Sequence, residues 1–433
     1  MRKQTLHYIL MAVALILVLS FCINRDINIE KSYPSDLRNR VIGARLQMDG
    51  KLPYFYKWKT QDGLRYYDPS QIDTTYANSI TASPFFHHLL YPIANLPQRE
   101  ISRIWLAIIY VMLFCCLTIA FLLAKTIVQR WACVIILICF LFTDGWTSLI
   151  MKGQLYMLIP FCCFIIFICL RKRQKMIFML LAGVFSGILI FSRPTTILFF
   201  LPFISQIKKY KMSELVAFLI PILVFIGYST FNTNERNFWI EYYHSINAQI
   251  KLHQATSNML PGRYNPVQYQ NWEGWNQDSI RKAKAPIIHG EVSNIAAVVR
   301  NIFHVNISKE ILEITLLTTV IILLILFFKQ IKHEQVIDLI KLSVFGFCLY
   351  LISDFLSPIT RPEYNKVQWL FPLLLISAYY NSKLKFAYSI ILVGLLLDVF
   401  FIPFLPMRHT IGEFVLLFTF LWLSFREDPK LFV

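Results

Sequence analysis

Long apolar runs recur from one end of the chain to the other, and they constrain its fold more than any other feature. The chain has 433 residues, 56% of them hydrophobic, and a mean hydropathy of +0.54. Soluble domains contain about 45–50% apolar residues, so this composition indicates a multi-pass membrane protein. No polar stretch is long enough to build a large core of its own. We therefore predict one all-α membrane domain over residues 1–433.

The apolar runs predict about twelve transmembrane helices, several of them short. A helix that crosses the bilayer perpendicularly needs ~20 residues, and the runs 194–206 and 367–381 fall below that length. The predicted spans are 6–24, 101–124, 131–150, 155–170, 176–192, 194–206, 213–231, 312–328, 336–356, 367–381, 385–402 and 409–425.

Basic residues cluster between alternate runs, and the formal net charge is +17. Membrane proteins retain Lys and Arg on the cytoplasmic side. This rule predicts cytoplasmic termini and outward loops at about 25–100 and 233–310. We expect the membrane to be the plasma membrane, which in bacteria is the inner membrane. The charges form no basic face of the kind that binds nucleic acid, so membrane lipids are the expected partners instead. The clusters lie at 2–3, 125–130, 171–175, 208–211, 329–332, 383–385 and 426–430.

The first outward loop begins with an acidic residue beside an amphipathic segment. Ser35 or Asp36 is suited to cap a helix, and apolar residues then recur at helical spacing from Leu37 to Met48. Gly50 favours the end of that helix. We predict an interfacial helix with its apolar side in lipid, followed by a surface or re-entrant helix within residues 83–92.

A few polar groups near the membrane are candidates for chemistry, because polar residues at membrane depth are costly. The predicted orientation brings them to the outward surface from distant parts of the chain. They are Asp36, Lys152, Gln154, Arg193, Asp354, Arg361 and Glu363, with His87 and His88 in the first loop.

These residue types suggest glycosyl transfer from a lipid-phosphate sugar. A carboxylate such as Asp36 can take a proton from an acceptor hydroxyl. One carboxylate suffices for a single displacement with inversion, unlike the pair used in glycoside hydrolysis. Arg193, Lys152 and Arg361 can hold the phosphate, as can the helix N-terminus after Arg193. Glu363, His87 and His88 are candidates for acceptor contacts or structural roles, and we expect no metal and no other cofactor.

Simpler explanations stand beside these roles. Asp36 can serve only as a helix cap, Lys152 and Arg361 can bind lipid phosphates, and Gln154 can bridge helices. Two other functions also fit a membrane protein of this kind. A polymerase or ligase of lipid-linked oligosaccharides would depend on outer arginines and add whole repeats. A flippase or transporter of lipid-linked glycans would carry midplane charges and repeat symmetry.

Four motifs occur in a distinctive order. They are Asp36 before Gly43-Ala44-Arg45-Leu46 and Asp49-Gly50 to Pro53-Tyr54; a proline-aromatic segment with Tyr91-Pro92 and Leu96-Pro97; Gly153-Gln154 followed by a basic turn, Ala182-Gly183, Gly187 and Arg193-Pro194; and Ser357-Pro358 followed by Leu370-Phe371-Pro372. In this order they resemble glycosyltransferase family 87, membrane enzymes of the GT-C class related to polyprenyl-phosphate-mannose-dependent mannosyltransferases.

The resemblance implies a GT-C fold and a specific reaction. A hexose, mannose-like, would pass from a polyprenyl-phosphate sugar to an envelope glycan or glycolipid on the outer face. It also implies that Asp36 is the general base and that Gln154 and Arg193 lie near the donor.

Overall fold

The computed structural model is mainly helical over the residues that it describes, which are 2–31, 34–69, 72–73, 80–254, 263–264, 271–276, 294–332, 338–359, 361–399 and 407–426. Eight α-helices fill the described part of the first half. They are α1 (Arg2–Glu30), α2 (Ser35–Met48), α3 (Pro84–Leu90), α4 (Gln98–Leu123), α5 (Ile127–Leu141), α6 (Asp144–Lys152), α7 (Leu158–Arg171) and α8 (Met176–Ser192).

The rest of the chain combines α-helices with two 3₁₀ helices of functional interest, Pro194–Lys209 and Glu363–Trp369. Shorter 3₁₀ turns lie at Thr60–Asp62 and Ser382–Leu384. The α-helices are α9 (Met212–Phe231), α10 (Thr233–Gln254), α11 (Ile295–Phe303), α12 (Lys309–Ile331), α13 (Leu339–Phe355), α14 (Leu370–Ala378), α15 (Lys385–Val399) and α16 (Arg408–Ser424).

The all-α prediction is confirmed, and a helix lies at each of the twelve predicted spans. Within the described ranges, four helices are long and apolar enough by themselves to cross a membrane, namely α1, α4, α9 and α12. The predicted span 131–150 is divided into α5 and α6, which meet at a bend of 60°. Counted as one broken span, the two helices would form a fifth membrane crossing. The number of crossings therefore stays a prediction.

The two runs that looked too short for a bilayer are lengthened by 3₁₀ geometry. Residues 194–209 form a 3₁₀ helix of 16 residues. Since a 3₁₀ helix rises ~2.0 Å per residue, this one extends roughly 32 Å, about the thickness of the hydrocarbon layer. The run at 367–381 is likewise extended, because Glu363–Trp369 continues directly into α14.

The core surrounds α13 and α14. Every residue of α14 is buried, as is α13 from Ile340 to its end. The helices α9 and α12 differ sharply, since only 6% and 17% of their apolar windows are buried. The apolar side chains of α9 and α12 are therefore exposed on the surface, where lipid can cover them. The buried helices α13 and α14 form the centre of the protein.

The short helix α2 corrects the expectation of an interfacial helix. Its residues from Leu37 to Gln47 are buried on every side, including Arg38, Arg40 and Arg45. Three arginines can be buried here because each meets a carboxylate, an amide or a backbone carbonyl. The amphipathic spacing does not mark a lipid-facing helix; α2 lies inside the protein, packed against α3, α4 and α6.

The helix α1 extends six residues beyond the predicted span and carries a buried acid into the protein. The carboxylate of Asp26 is fully buried and accepts hydrogen bonds from Tyr110 Oη on α4 and Trp146 Nε1 on α6, each at 2.7 Å. Arg25 pairs with it at 2.8 Å. This satisfied carboxylate fixes α6, which leads to the turn at Gly153.

The two long loops contact each other. The strands β1 (Ile72–Asp73) and β2 (Arg263–Tyr264) pair antiparallel, with Ile72 opposite Tyr264. A second small hairpin joins β3 (Asn271–Trp272) to β4 (Trp275–Asn276). At its tip, Glu273 binds the Arg45 guanidinium through both carboxylate oxygens, at 2.6 and 3.0 Å. Arg45 therefore links α2 to the second loop.

Candidate active site

A glycine turn brings α2 against the end of α6. Gly153 ends α6 in the left-handed conformation, with φ of +64°. A Cβ at this position would lie 2.6 Å from Leu37 Cβ and 3.1 Å from Pro34 Cβ. Only glycine tolerates both the backbone angle and this close approach. The turn thereby places the side chain of the next residue, Gln154, beside the start of α2.

A carboxylate cluster, which we define as Asp36, Gln154 and Arg40, forms at this junction. Gln154 is 1% exposed, and its Nε2 donates to Asp36 Oδ2 while its Oε1 accepts from Arg40 Nη2. Ser35 Oγ donates to Asp36 Oδ1 at 3.0 Å. Asp36 itself is half-buried. Through these bonds Gln154 links the turn after α6 to two residues of α2.

Asp36 is not the cap of α2. The N-cap position is occupied by Pro34, and no side chain caps this helix end. Asp36 lies inside the first turn, where a negative charge favours the helix dipole. Its hydrogen bonds run to Gln154 and Ser35 side chains rather than to backbone amides. Capping thus does not explain why an acid occupies this position.

An arginine cluster, which we define as Arg193, Asp354, Arg361 and Glu413, lies at the ends of α8, α13 and α16. Arg193 pairs with Asp354 Oδ1, and Arg361 Nε lies 3.7 Å from Asp354 Oδ2. Arg361 Nη1 also binds both carboxylate oxygens of Glu413. The Arg361 side chain is 1% exposed, whereas that of Arg193 is 23% exposed. Of the two arginines, Arg193 is the one that a ligand can reach.

Two tyrosines connect the clusters. Arg193 Nη1 donates to Tyr156 Oη at 2.6 Å, and its guanidinium lies 4.9 Å from the Tyr156 ring centre. The Tyr156 and Tyr364 rings stack with centres 5.4 Å apart. Tyr364 in turn lies close enough to Asp36 to interact with the charge of its carboxylate. The acid and the cation therefore lie on either side of one aromatic pair.

Unsatisfied polar atoms adjoin the arginine cluster. Among the described residues, Tyr350 Oη and Gln368 Oε1 are buried without a hydrogen-bond partner. The Tyr350 ring lies 5.9 Å from the Arg193 guanidinium, and Gln368 Nε2 donates to Asp354 at 3.0 Å. Buried polar atoms usually have partners. Both side chains are at most 1% exposed, so a ligand does not reach them in this structure.

Lys152 and Glu363 are half-buried at the edge of the site. Across the described ranges, neither side chain has a hydrogen bond or an ion pair. Lys152 is the last residue of α6, and Glu363 opens the 3₁₀ helix that packs on α6. Both side chains are therefore available to a ligand or to lipid.

The two histidines contact the same face of α2 as Asp36 and Arg40, but further along the helix, at Gly43 and Gln47, and form a separate cluster. His87 is fully buried, its Nδ1 is 3.0 Å from Gln47 Oε1, and its ring packs against Gly43. Burial, aided by the charges of His88 and Arg40, lowers the pKa of His87 to about 3, so its ring is neutral. His88 Nε2 lies 2.9 Å from Glu235 Oε1. These contacts favour a structural role for both.

The structure brings Asp36, Gln154, Arg193, Asp354 and Arg361 into one region, and the outward orientation of that region stays a prediction. It adds four residues that sequence reasoning missed: Arg40, Tyr156, Tyr364 and Glu413. Two of these had a usable signal. Arg40 follows Asp36 by one helical turn, and Glu413 is an acid within an apolar run, which is uncommon without a function or a partner.

Comparison with known proteins decides the family. The sequence profile of glycosyltransferase family 87 matches residues 81–349, which is more than half of the chain. The chain belongs to glycosyltransferase family 87. No curated protein and no solved structure matches it.

As a family 87 member, the protein is a membrane glycosyltransferase with a sugar donor and an acceptor. The matched region contains Lys152, Gln154 and Arg193, together with His87 and His88. Asp36, Arg361 and Glu363 lie outside it. The role of Asp36 therefore depends on its contacts with Gln154, a residue inside the matched region.

Proposed function

We propose that this protein transfers a hexose, mannose-like, from a polyprenyl-phosphate sugar to an envelope glycan or glycolipid. The reaction would occur at the outer face of the bacterial inner membrane, with inversion at the anomeric carbon. Asp36 is the general base in this proposal. The observation that carries it is the half-buried Asp36 carboxylate, which among the described residues accepts hydrogen bonds from neutral donors only, in a region that also holds the partly exposed cation Arg193.

The proposed reaction is a single displacement. The acceptor oxygen attacks the anomeric carbon while Asp36 takes the hydroxyl proton, and the bond from that carbon to the phosphate oxygen breaks. The lipid phosphate leaves with the bonding electrons and gains negative charge. Preorganised cations stabilise such charge most effectively in a site that excludes water.

Arg193 is the proposed contact of the phosphate. It keeps a partly exposed guanidinium although it is paired with Asp354. Lys152 is the second candidate, because it is half-buried and has no ion pair within the described residues. Arg361 is a weaker candidate than Arg193, because its buried guanidinium is already paired with Glu413 and Asp354. Its proposed role is to hold Asp354 and, through it, Arg193.

The sugar and the acceptor would meet the polar groups between the clusters. Glu363 is the candidate for acceptor contact, since it is half-buried beside α6. The exposed apolar surfaces of α9 and α12 offer room for a lipid chain within the membrane.

A donor panel tests the proposal. Full-length protein in detergent would be incubated with radiolabelled polyprenyl-phosphate mannose, polyprenyl-phosphate glucose and the matching nucleotide sugars, each with membrane lipid extract. We expect label in a product one sugar longer than the acceptor, from a polyprenyl-phosphate donor only. Transfer from a nucleotide sugar alone would contradict the proposed donor class, and addition of whole repeats would favour a polymerase.

A further inference from the structure

Arg40 lies one helical turn after Asp36 on α2, so the two side chains extend from the same face of that helix. They do not share a hydrogen bond. Arg40 is 7% exposed, and its Nη1 donates to the Gly153 carbonyl oxygen at 3.2 Å. Its Nη2 donates to Gln154 Oε1. Both contacts fall on the turn that faces Asp36.

The chemistry of the guanidinium fixes the orientation of the amide. An arginine side chain has five N–H donors and no acceptor, whereas a glutamine amide has an oxygen at one corner and an NH₂ at the other. The corner that meets Arg40 must therefore be the oxygen. The NH₂ group of Gln154 must then face Asp36, which is a good arrangement for an ionised carboxylate.

We propose that Arg40 is a positioning residue for the Asp36 base and acts through the Gln154 amide. This inference rests on the proposed function and reassigns Gln154 from donor contact to orientation of the base. Asp36 Oδ2 is held by Gln154 and Oδ1 by Ser35, so the plane of the carboxylate is fixed. Lone pairs not used by these donors are left for the proton of the acceptor hydroxyl.

The intervening amide also separates two charges. A guanidinium in direct contact with a carboxylate opposes proton uptake by that carboxylate. In the described structure Arg40 meets neutral oxygens only, and the group in contact with Asp36 is a neutral amide. This arrangement orients the acid without placing a cation on it.

We call the series Arg40, Gln154 and Asp36 the relay. The kinetics of three variants would test it. Arg40→Lys replaces a rigid two-nitrogen fork by a single mobile donor, and Gln154→Met removes the amide. Each should lower kcat about 10- to 100-fold, because misplacing a catalytic group by ~1 Å costs up to about 100-fold. KM for polyprenyl-phosphate mannose should not change. The double variant should be no slower than the slower single variant.

Arg38→Lys is the matched control. Arg38 lies two residues earlier on the same helix, is also buried, and pairs with Asp68 at 2.6 Å. It should keep the wild-type kcat per folded molecule. A rise in KM with unchanged kcat for Gln154→Met would assign Gln154 to donor binding and overturn the proposal. Equal losses for Arg40→Lys and Arg38→Lys would also overturn it.

A double-mutant cycle measured by protein stability tests the relay without an activity assay. Thermal unfolding of Arg40→Lys, Asp36→Asn and their double variant should show coupling between two residues that share no hydrogen bond. That coupling should vanish when the cycle is repeated in the Gln154→Met background. If the coupling is absent, or persists without the amide, the relay is wrong. Coupling through the amide in a protein that transfers no sugar would instead contradict the proposed function alone.

Discussion

Asp36 and Asp354 are both acids in buried helices of the same region, yet their surroundings differ. Asp354 is 3% exposed and is bound by the cations Arg193 and Arg361 and by the amide of Gln368. Asp36 is half-buried, and its hydrogen-bond partners in the described ranges are an amide and a hydroxyl. Asp354 is therefore held within a series of ion pairs, whereas Asp36 contacts neutral groups among the described residues.

This difference suggests that the arginine cluster supports the structure of the site and that the carboxylate cluster carries the chemistry. The arginine cluster forms a continuous series of ion pairs, from Arg193 through Asp354 and Arg361 to Glu413. The carboxylate cluster contains one acid and one arginine that meet only through a neutral amide. Substitutions in the first should affect stability and donor binding, and substitutions in the second should affect turnover.

Asp36→Asn should have the largest effect. The asparagine can still accept a hydrogen bond from Gln154 but cannot take a proton, so kcat should fall about 10²- to 10⁴-fold. The unfolding temperature should stay near that of the wild type. Asp49→Asn is the matched control, because Asp49 follows the other end of α2 and binds Arg65 at the surface. Normal turnover by Asp36→Asn, or an equal loss in both variants, would contradict the comparison.

Glu413→Gln should mainly destabilise the fold. It leaves the buried Arg361 without its closest carboxylate, and breaking a buried ion pair costs about 3–5 kcal/mol. Thermal unfolding in detergent measures the loss. The double variant Arg361→Met/Glu413→Leu should recover much of it, because an apolar pair of similar size does not leave a buried charge. A stable Glu413→Gln protein would show that the pair does not support the site.

Arg193→Ala should weaken donor binding about tenfold or more, since a charge-assisted hydrogen bond contributes about 1.5–3 kcal/mol. KM for the polyprenyl-phosphate donor, corrected for the folded fraction, measures the effect. Arg171→Ala is a matched control: Arg171 also donates to a tyrosine hydroxyl, that of Tyr379 at 2.7 Å, but away from the site. Unchanged donor KM for Arg193→Ala would remove Arg193 from the phosphate site.

Gly153→Ala should have the smallest effect of the four, and Gly50→Ala separates its two causes. Both glycines have positive φ, +64° and +69°, so both alanines bear similar backbone strain. Only the Cβ at Gly153 meets another side chain, at 2.6 Å from Leu37, and such overpacking costs about 1–3 kcal/mol. Gly153→Ala should be less stable than Gly50→Ala by this overpacking cost. Its turnover should also fall, but less than that of the other variants. Equal stability would show that the approach of α2 to α6 is not tight.

The sequence predicts the all-α class and the positions of the helices, because period and apolar length are local properties. It fails where burial is decided by distant contacts. The arginines of α2 suggest a surface helix, but Asp68, Gln154 and Glu273 come from elsewhere in the chain to meet them. The sequence also does not show how far the two short runs extend, since composition does not distinguish a 3₁₀ helix from an α-helix.

For the candidate site, too, the sequence predicts the general location but not the contacts between distant residues. Charge topology suffices to bring Asp36, Gln154, Arg193 and Arg361 to one region. It cannot show that Glu413 already occupies Arg361, or that Arg40 contacts Gln154 rather than Asp36. Those distinctions depend on side-chain partners that are 52 and 114 residues apart along the chain.

The most direct test of Asp36 as the base is to supply an acceptor that needs no base. Asp36→Gly would be incubated with the polyprenyl-phosphate donor and azide, an anion that attacks carbon without losing a proton. We predict that transfer to the hydroxyl acceptor is lost, while azide yields a glycosyl azide whose anomeric configuration is opposite to that of the donor. Continued transfer to the hydroxyl acceptor, or a glycosyl azide that retains the donor configuration, would contradict the account.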